Sequence, residues 1–159
     1  MVLVDVEQEY RRSVEALVHY ATVLVGPDDA MDVVNEAVLA TLSRGSLDRV
    51  ADLRAYWFRA VTNTAAGWHR STARRRRREE RAASRSPRPS VELSPVSDAQ
   101  GALASLSVHQ RAAVYLTYWS DWEPARIADV LGVSEGTVRK ALARGRQRLR
   151  EVLSDERFA

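Results

Sequence analysis

The stretch ARIADVLGVSEGTVRKALARGRQRLR, residues 125–150, decides the fold of the second half of this sequence. Its first apolar segment ends at Gly132, a residue type that adopts the positive φ of a tight turn without steric cost. Ala128 is small enough for two helices to cross closely, and Ser134 offers a side-chain oxygen that can cap a second helix. Val138 supplies an apolar side chain where the second helix faces the first. The pattern therefore predicts a helix-turn-helix.

The second helix of this motif has a basic polar side. Its donors suit phosphates and the guanine edges of a DNA major groove. A helical hairpin with a charged outer face is the other interpretation, but the small residue, turn glycine, cap and basic helix together favour DNA binding. Gly145 lies inside this helix and costs it about 1 kcal/mol relative to alanine. Either a close backbone approach or tolerated drift explains why a glycine is found there. The candidate DNA-binding residues are Ser134, Glu135, Thr137, Arg139, Lys140, Arg144 and Arg146.

The composition limits the classes of protein to which this chain can belong. The 159 residues are 45% hydrophobic and 28% charged, with a net charge of +3, as in a globular protein. Basic residues concentrate at 70–88 and 139–150, which indicates two contacts with a polyanion, although two solvated faces would give the same pattern. No cysteine, secretory signal or membrane-length apolar stretch is present, so we expect a cytoplasmic protein. Three scattered histidines and the lack of a phosphate-binding glycine loop predict no enzyme activity, metal, cofactor or small-molecule substrate.

Apolar residues recur every three or four positions through most of the chain, which predicts helices and no strand. The first half gives three helices, of which the third begins with Asp52 as its cap and runs into the arginines at 74–78. The second half gives four, and Ser107 with Gln110 forms a capping box. A Pro- and Ser-rich segment between the halves predicts a flexible linker. The fold class is all-α, with small helical domains at residues 1–82 and 98–159 joined by the linker at 83–97.

The second half resembles the C-terminal domain of bacterial extracytoplasmic-function (ECF) sigma factors. Its segments LASLSVHQR and IADVLGVSEGTV are similar to the family patterns L-x-x-L-P-x-x-Q-R and I-A-x-x-L-G-x-S-x-G-T-V, although Ser107-Val108 replaces the usual proline. LuxR-type response regulators share this arrangement, but the first half separates the two families. Residues 29–44, DAMDVVNEAVLATLSR, resemble the sigma-factor helix that binds core polymerase. Residues 53–77, LRAYWFRAVTNTAAGWHRSTARRRR, resemble the promoter-reading helix and an actinobacterial sigma-E-like subgroup.

The resemblance implies a sigma factor that directs core RNA polymerase to promoters through their −10 and −35 elements. Its partners would be the clamp helices and flap of polymerase and promoter DNA, with an anti-sigma factor as a further candidate. The −35 element would be read by the second helix of the helix-turn-helix, and the loop at residues 46–52 would capture an extruded base. The core-binding candidates are Asp29, Asp32, Asn35 and Glu36. The −10 candidates are Arg59, Asn63, His69, Arg70, Arg74 and Arg75.

Several interpretations stay open on the residues alone. A stand-alone helix-turn-helix regulator with a dimerising N-terminal bundle would also bind DNA, and an adaptor that binds only protein would not. The acidic face of the second helix is either a docking strip for a basic partner or a solvated surface. Tyr56, Trp57 and Trp68 fit the core better than base stacking. The arginines at 74–78 are either a phosphate clamp or a neutral spacer, with Glu79 and Glu80 at the frayed end of their helix.

Overall fold

The computed structural model describes residues 2–45, 47, 49–83 and 98–157. Within these residues the chain forms seven helices and no strand, which confirms the predicted all-α fold. The helices are α1 (Val2–Val25), α2 (Ala30–Ser43), α3 (Leu53–Ala83), α4 (Asp98–Ala104), α5 (Val108–Tyr118), α6 (Pro124–Leu131) and α7 (Glu135–Arg157). Apart from Ala83, the predicted linker lies outside the described residues. No described helix is long and apolar enough to cross a membrane.

The first half is a bundle in which α1, α2 and α3 contact one another around an apolar core. Tyr20, Trp57 and Phe58 are among its largest fully buried side chains. The hydroxyl groups of Tyr20 and Thr62 lie 2.7 Å apart, so these two buried polar groups satisfy each other. Tyr56 and Trp68 are half-buried and pack against the same core. The prediction that the aromatic residues of α3 belong to the core is therefore confirmed.

Local signals set the helix ends in the first half. Gly26, with a φ of 91°, follows the last residue of α1 and turns the chain toward α2. The Asp52 carboxylate accepts a hydrogen bond from the Ala55 backbone N–H at 3.0 Å, as predicted for the cap of α3. Asp29 precedes α2 but makes no side-chain hydrogen bond to its first turn. Its carboxylate is therefore not used as a cap.

Helix α3 is 31 residues long and includes the whole arginine run. The prediction that it frays at Glu79 and Glu80 is wrong, because the helix continues to Ala83. Arg75 Nε donates to Glu79 Oε1 at 3.2 Å, and such an i,i+4 pair stabilises an exposed helix by about 0.3–0.5 kcal/mol. The change from basic to acidic residues therefore does not end the helix, since oppositely charged side chains one turn apart support it.

The second half has the predicted helix-turn-helix, formed by α6 and α7. Gly132 has a φ of 66°, and the Ser134 hydroxyl accepts from the Thr137 backbone N–H at 3.2 Å. Ser107 and Gln110 form the predicted capping box at the start of α5. Gly145 is buried against α5, where an added Cβ would lie only 3.0 Å from Val114 Cγ2. A close approach of α7 to α5, and not tolerated drift, therefore explains this glycine.

The two halves also pack against each other, which the sequence did not predict. We call this contact the seam; its main side chains are Tyr20, Asp52 and Phe58 from the first half and Tyr115, Trp122 and Arg126 from the second. The Tyr20 and Tyr115 ring centroids are 5.1 Å apart, as are those of Phe58 and Trp122. The aromatic rings belong to one continuous core that includes residues of both halves. Helices α5 and α6 thus lie directly on α1 and α3.

Polar contacts complete the seam. Arg126 Nη2 lies 2.9 Å from Asp52 Oδ2, and the guanidinium of Arg126 also sits 3.9 Å from the centre of the Trp122 ring. Arg111 Nη1 donates to the Leu24 carbonyl at 2.7 Å, which satisfies a backbone acceptor at the end of α1. These contacts join residues that are 74 and 87 positions apart in sequence. Neither contact is indicated by the residues nearby in the sequence.

Candidate nucleic-acid and protein interfaces

Helix α2 presents three of the four predicted core-binding residues on its outer side, and the fourth precedes it. Asp32, Asn35 and Glu36 are exposed, and Asp29 is half-buried just before the helix begins. The opposite side of α2 is buried in the bundle through Val33, Val34, Ala37 and Thr41. The helical repeat of about 3.6 residues therefore brings the predicted polar groups together on one surface.

Three apolar side chains on the same outer side were not among the predicted residues. Met31, Leu39 and Leu42 are 52%, 63% and 47% exposed, and with Asn35 they recur every three or four positions. We call the surface formed by Asp29, Met31, Asp32, Asn35, Glu36, Leu39 and Leu42 the α2 strip. An apolar row edged by carboxylates fits a partner helix with apolar and basic side chains. The spacing could have shown this row, because the apolar residues of α2 occupy two faces and only one can be buried.

Helix α3 carries most of the predicted −10 residues along one exposed row. Arg59, Asn63, Arg70 and Arg74 follow at intervals of four, seven and four residues, and all four are exposed. We call this row the α3 stripe. Arg75 lies about 100° further around the helix, where its guanidinium pairs with Glu79. The structure thus brings four of the predicted side chains together and turns Arg75 away from them.

His69 does not belong to the α3 stripe. It follows the buried row of Phe58, Thr62 and Ala65, and its Nε2 lies 2.6 Å from the Leu24 carbonyl oxygen at the end of α1. The ring is half-buried and engaged with the backbone, so the structure places His69 apart from the other predicted −10 side chains. Its sequence position beside Arg70 suggested a shared face, whereas one step along a helix turns a side chain by about 100°.

A groove between α2 and α3 adds one residue that the sequence did not single out. The groove has a volume of about 380 Å³ and is lined by Arg44, Tyr56, Arg59, Asn63 and small residues of both helices. Arg44 ends α2 and therefore looked like a helix terminus rather than part of a site. Two guanidinium groups, an aromatic ring and an amide are a suitable combination for a phosphate and an unstacked base.

The first turns of α7 project away from the domain. Glu135, Thr137, Arg139 and Lys140 are all exposed, while Val138 is fully buried against the rest of the motif. Ser134 is occupied by capping, since its hydroxyl contacts both the backbone N–H and, at 2.9 Å, the hydroxyl of Thr137. Side chains whose hydrogen-bond donors are not used in capping begin about one turn further along α7.

The predicted −35 residues form two flanks of α7. Glu135, Arg139 and Arg146 lie on one flank, and Thr137, Lys140 and Arg144 on the other, by the repeat of the helix. Arg139 Nη2 lies 3.5 Å from Glu135 Oε2, a long contact between exposed groups, and Arg146 Nε donates to the Leu142 carbonyl at 3.3 Å. Lys140 and Arg144 are exposed and make no ion pair within the described part of the chain.

Known proteins of one family are similar to this chain. The family "Sigma-70, region 4" matches residues 98–149. The chain is 34% identical to the RNA polymerase sigma-E factor of Streptomyces avermitilis over 95% of this chain and 86% of that protein. It is 32% identical to the ECF RNA polymerase sigma factor SigM of Mycobacterium tuberculosis over 79% of this chain and 65% of that protein.

A solved structure covers both halves. The sigma factor RpoE of Bartonella quintana, in complex with the anti-sigma factor NepR, matches with a TM-score of 0.67 and 27% identity over 94% of this chain and 97% of that one. The chain therefore belongs to the ECF family of RNA polymerase sigma factors. It directs core polymerase to promoters and initiates transcription there. Since the similarity includes the first half, a stand-alone helix-turn-helix regulator is not favoured.

Proposed function

We propose that three exposed helical surfaces divide the work of this sigma factor. The α2 strip binds core polymerase, the α3 stripe and its groove contact the −10 element, and the first turns of α7 read the −35 element. The observation that carries this proposal is the exposure of all three polar rows on different helices, opposite their buried faces. We assign no catalytic step and no cofactor to the chain, which acts in the cytoplasm with polymerase and DNA.

The α2 strip suits the clamp helices of polymerase. Its apolar row is half or more exposed at Met31 and Leu39, so docking would remove apolar surface from water, the main favourable term in association. Asp32 and Glu36 would attract basic side chains of the partner and fix the register, as charged groups at interfaces do. Asn35 lies between them and would hydrogen-bond across the interface.

The α3 stripe suits the −10 element because it combines cations with one amide. Arg59, Arg70 and Arg74 would bind phosphates, which position the protein without reading sequence. Asn63 can donate to and accept from a base edge, and it is exposed in mid-helix, where asparagine is a poor helix former. The groove between α2 and α3 would receive the extruded base. Extrusion costs a few kcal/mol, which contacts to the base and backbone offset.

The first turns of α7 suit the major groove of the −35 element. Arg139, Lys140 and Arg144 would contact bases or the phosphates beside them. Ser134 and Thr137 would mainly hold the helix start in place, since their hydroxyl groups already contact each other. Tyr118, which is 56% exposed, would contribute to contact with the polymerase flap. The structural relative with a bound anti-sigma factor supports an anti-sigma partner for this chain as well.

Transcription with core polymerase on matched and mismatched −35 elements tests the assignment. If Arg139 reads a base, Arg139→Ala will reduce discrimination against the mismatch by about 1–3 kcal/mol, or roughly five- to 150-fold. Arg11→Ala is the matched control, because Arg11 also pairs with a glutamate one turn away but lies on α1. An equal loss on all templates would instead identify Arg139 as a phosphate contact.

A further inference from the structure

A cavity that none of the three proposed surfaces uses lies between the end of α1 and the helices α4 and α5. Its volume is about 540 Å³, and pockets that bind small organic molecules have volumes of about 300–1,000 Å³. Residues of both halves of the chain form its walls. Within the described part of the chain, no lining residue belongs to the α2 strip, the α3 stripe or α7. The function proposed above therefore gives this cavity no role.

The cavity is largely apolar and has an aromatic side. The rings of Tyr115 and Trp119 are parallel to within 2°, with their centroids 5.9 Å apart, and the His19 ring meets the Tyr115 ring edge-on at 5.5 Å. Trp119 is 65% exposed, so part of its indole is open to a ligand. A flat aromatic ligand would gain both burial and stacking on this ring. Aliphatic side chains supply more of the apolar lining, among them Val23, Val25, Leu103 and Val114.

Arg111 brings a positive charge to the cavity lining that no carboxylate balances. Its Nε donates to the Leu106 carbonyl at 3.1 Å and its Nη1 to the Leu24 carbonyl at 2.7 Å, and both of these acceptors are uncharged. Within the described residues the guanidinium makes no ion pair, and no Asp or Glu lines the cavity. The side chain is half-buried, and burial lowers the pKa of Arg111. A cation that is partly removed from water without a counter-charge favours an anion beside it.

We propose that this cavity binds a small aromatic carboxylate, with the carboxylate on Arg111 and the ring against Trp119. A guanidinium has five N–H donors, of which the two backbone carbonyls use two, and its planar fork matches the two oxygens of a carboxylate. A neutral aromatic molecule would leave the cation unpaired, and an aliphatic carboxylate would not stack on the indole. The chain would hold this molecule as a ligand and not transform it. The proposal stands on the cavity alone and does not depend on the proposed function.

Calorimetric titration of the full chain with naphthoate tests the proposal. Naphthalenemethanol keeps the ring without the charge, and octanoate keeps the charge without the ring. We expect saturable one-to-one binding of naphthoate with a dissociation constant below about 1 mM. The affinity should be about tenfold lower for naphthalenemethanol and about fivefold lower for octanoate. No saturable binding of naphthoate, or an affinity for either comparison compound within twofold of that for naphthoate, would overturn the proposal.

A pair of neighbouring aromatic residues locates the binding site. Trp119→Ala removes the exposed indole and should weaken naphthoate binding by about fivefold. Tyr118→Ala is the matched control, because Tyr118 is also exposed at the end of α5 but does not line the cavity, and this variant should bind as the wild type does. Wild-type affinity in Trp119→Ala, or an equal loss in Tyr118→Ala, would show that naphthoate binds elsewhere and would overturn the proposal.

A second pair of variants tests the charge. Arg111→Gln should weaken naphthoate binding by about tenfold and leave the weaker binding of naphthalenemethanol within about twofold of the wild type. Arg11→Gln removes an exposed cation from α1 outside the cavity and should change neither. Wild-type affinity for naphthoate in Arg111→Gln would overturn the proposal. Urea unfolding shows whether Arg111→Gln is folded, since Arg111 also bonds two backbone carbonyls; if it is not, Trp119→Ala and Tyr118→Ala decide the result.

Discussion

Leu39 of the α2 strip is 63% exposed in the free chain, and its contribution to the binding of core polymerase can be predicted from this exposure. Full burial of a leucine side chain contributes about 1.5–3 kcal/mol, so covering the exposed fraction contributes about 1–2 kcal/mol to docking. Leu39→Ala should therefore weaken binding to core polymerase by about five- to thirtyfold. The free energy of unfolding should change little, because most of this side chain already faces water in the folded protein.

A titration of fluorescently labelled protein with core polymerase measures this effect. Leu153→Ala is the matched control, since Leu153 is 46% exposed on α7, outside the α2 strip. Urea unfolding of both variants shows whether the fold is intact. An unchanged dissociation constant for Leu39→Ala, or an equal weakening by the control, would refute the role of the strip.

Three further predictions concern stability and charge. Gly136→Ala should stabilise α7 by up to about 1 kcal/mol. Gly145→Ala should not, because its added methyl group would press on Val114. Equal urea unfolding midpoints for the two variants would contradict this difference. Burial raises the pKa of Tyr20, so the hydroxyl group stays protonated in the folded state at pH values where it ionises in the unfolded state. The stability that is present below about pH 10 is therefore lost above it, by up to about 1.4 kcal/mol per pH unit. Tyr20→Phe should make the decline between about pH 10 and 12 shallower; parallel unfolding curves would refute this. Alanines at Arg74–Arg78 should reduce the salt slope of open-complex formation by about 0.7–0.9 for each phosphate that the protein no longer neutralises, and an unchanged slope would identify the run as a spacer.

Elements with local signals were predictable from the sequence. The turn at Gly132 and the caps at Ser107 and Ser134 depend on residues within three positions of one another. The acidic side of α2 and the exposed row of α3 were also predictable, because they follow from the helical repeat. The ambiguity at Gly145 was resolved only by its contact with α5, a tertiary feature.

Features that depend on distant residues were not predictable. The seam joins Asp52 to Arg126 and Leu24 to Arg111, and nothing near either residue in sequence indicates its partner. The contact of His69 with the Leu24 carbonyl was not predictable either, because the two residues are 45 positions apart. Arg44 owes its place in the groove to the way α2 meets α3. Propensity and periodicity specify which side of a helix is buried, but not which distant group lies against it.

Core polymerase should acquire its choice of promoter from this chain through two separate DNA contacts. Transcription by core polymerase on a pool of genomic fragments, with and without the chain, measures this most directly. We expect transcription starts only with the chain, each a fixed distance downstream of a shared −10/−35 pair. These starts should be lost when either element is scrambled. The same starts without the chain, or starts that persist when both elements are scrambled, would contradict it.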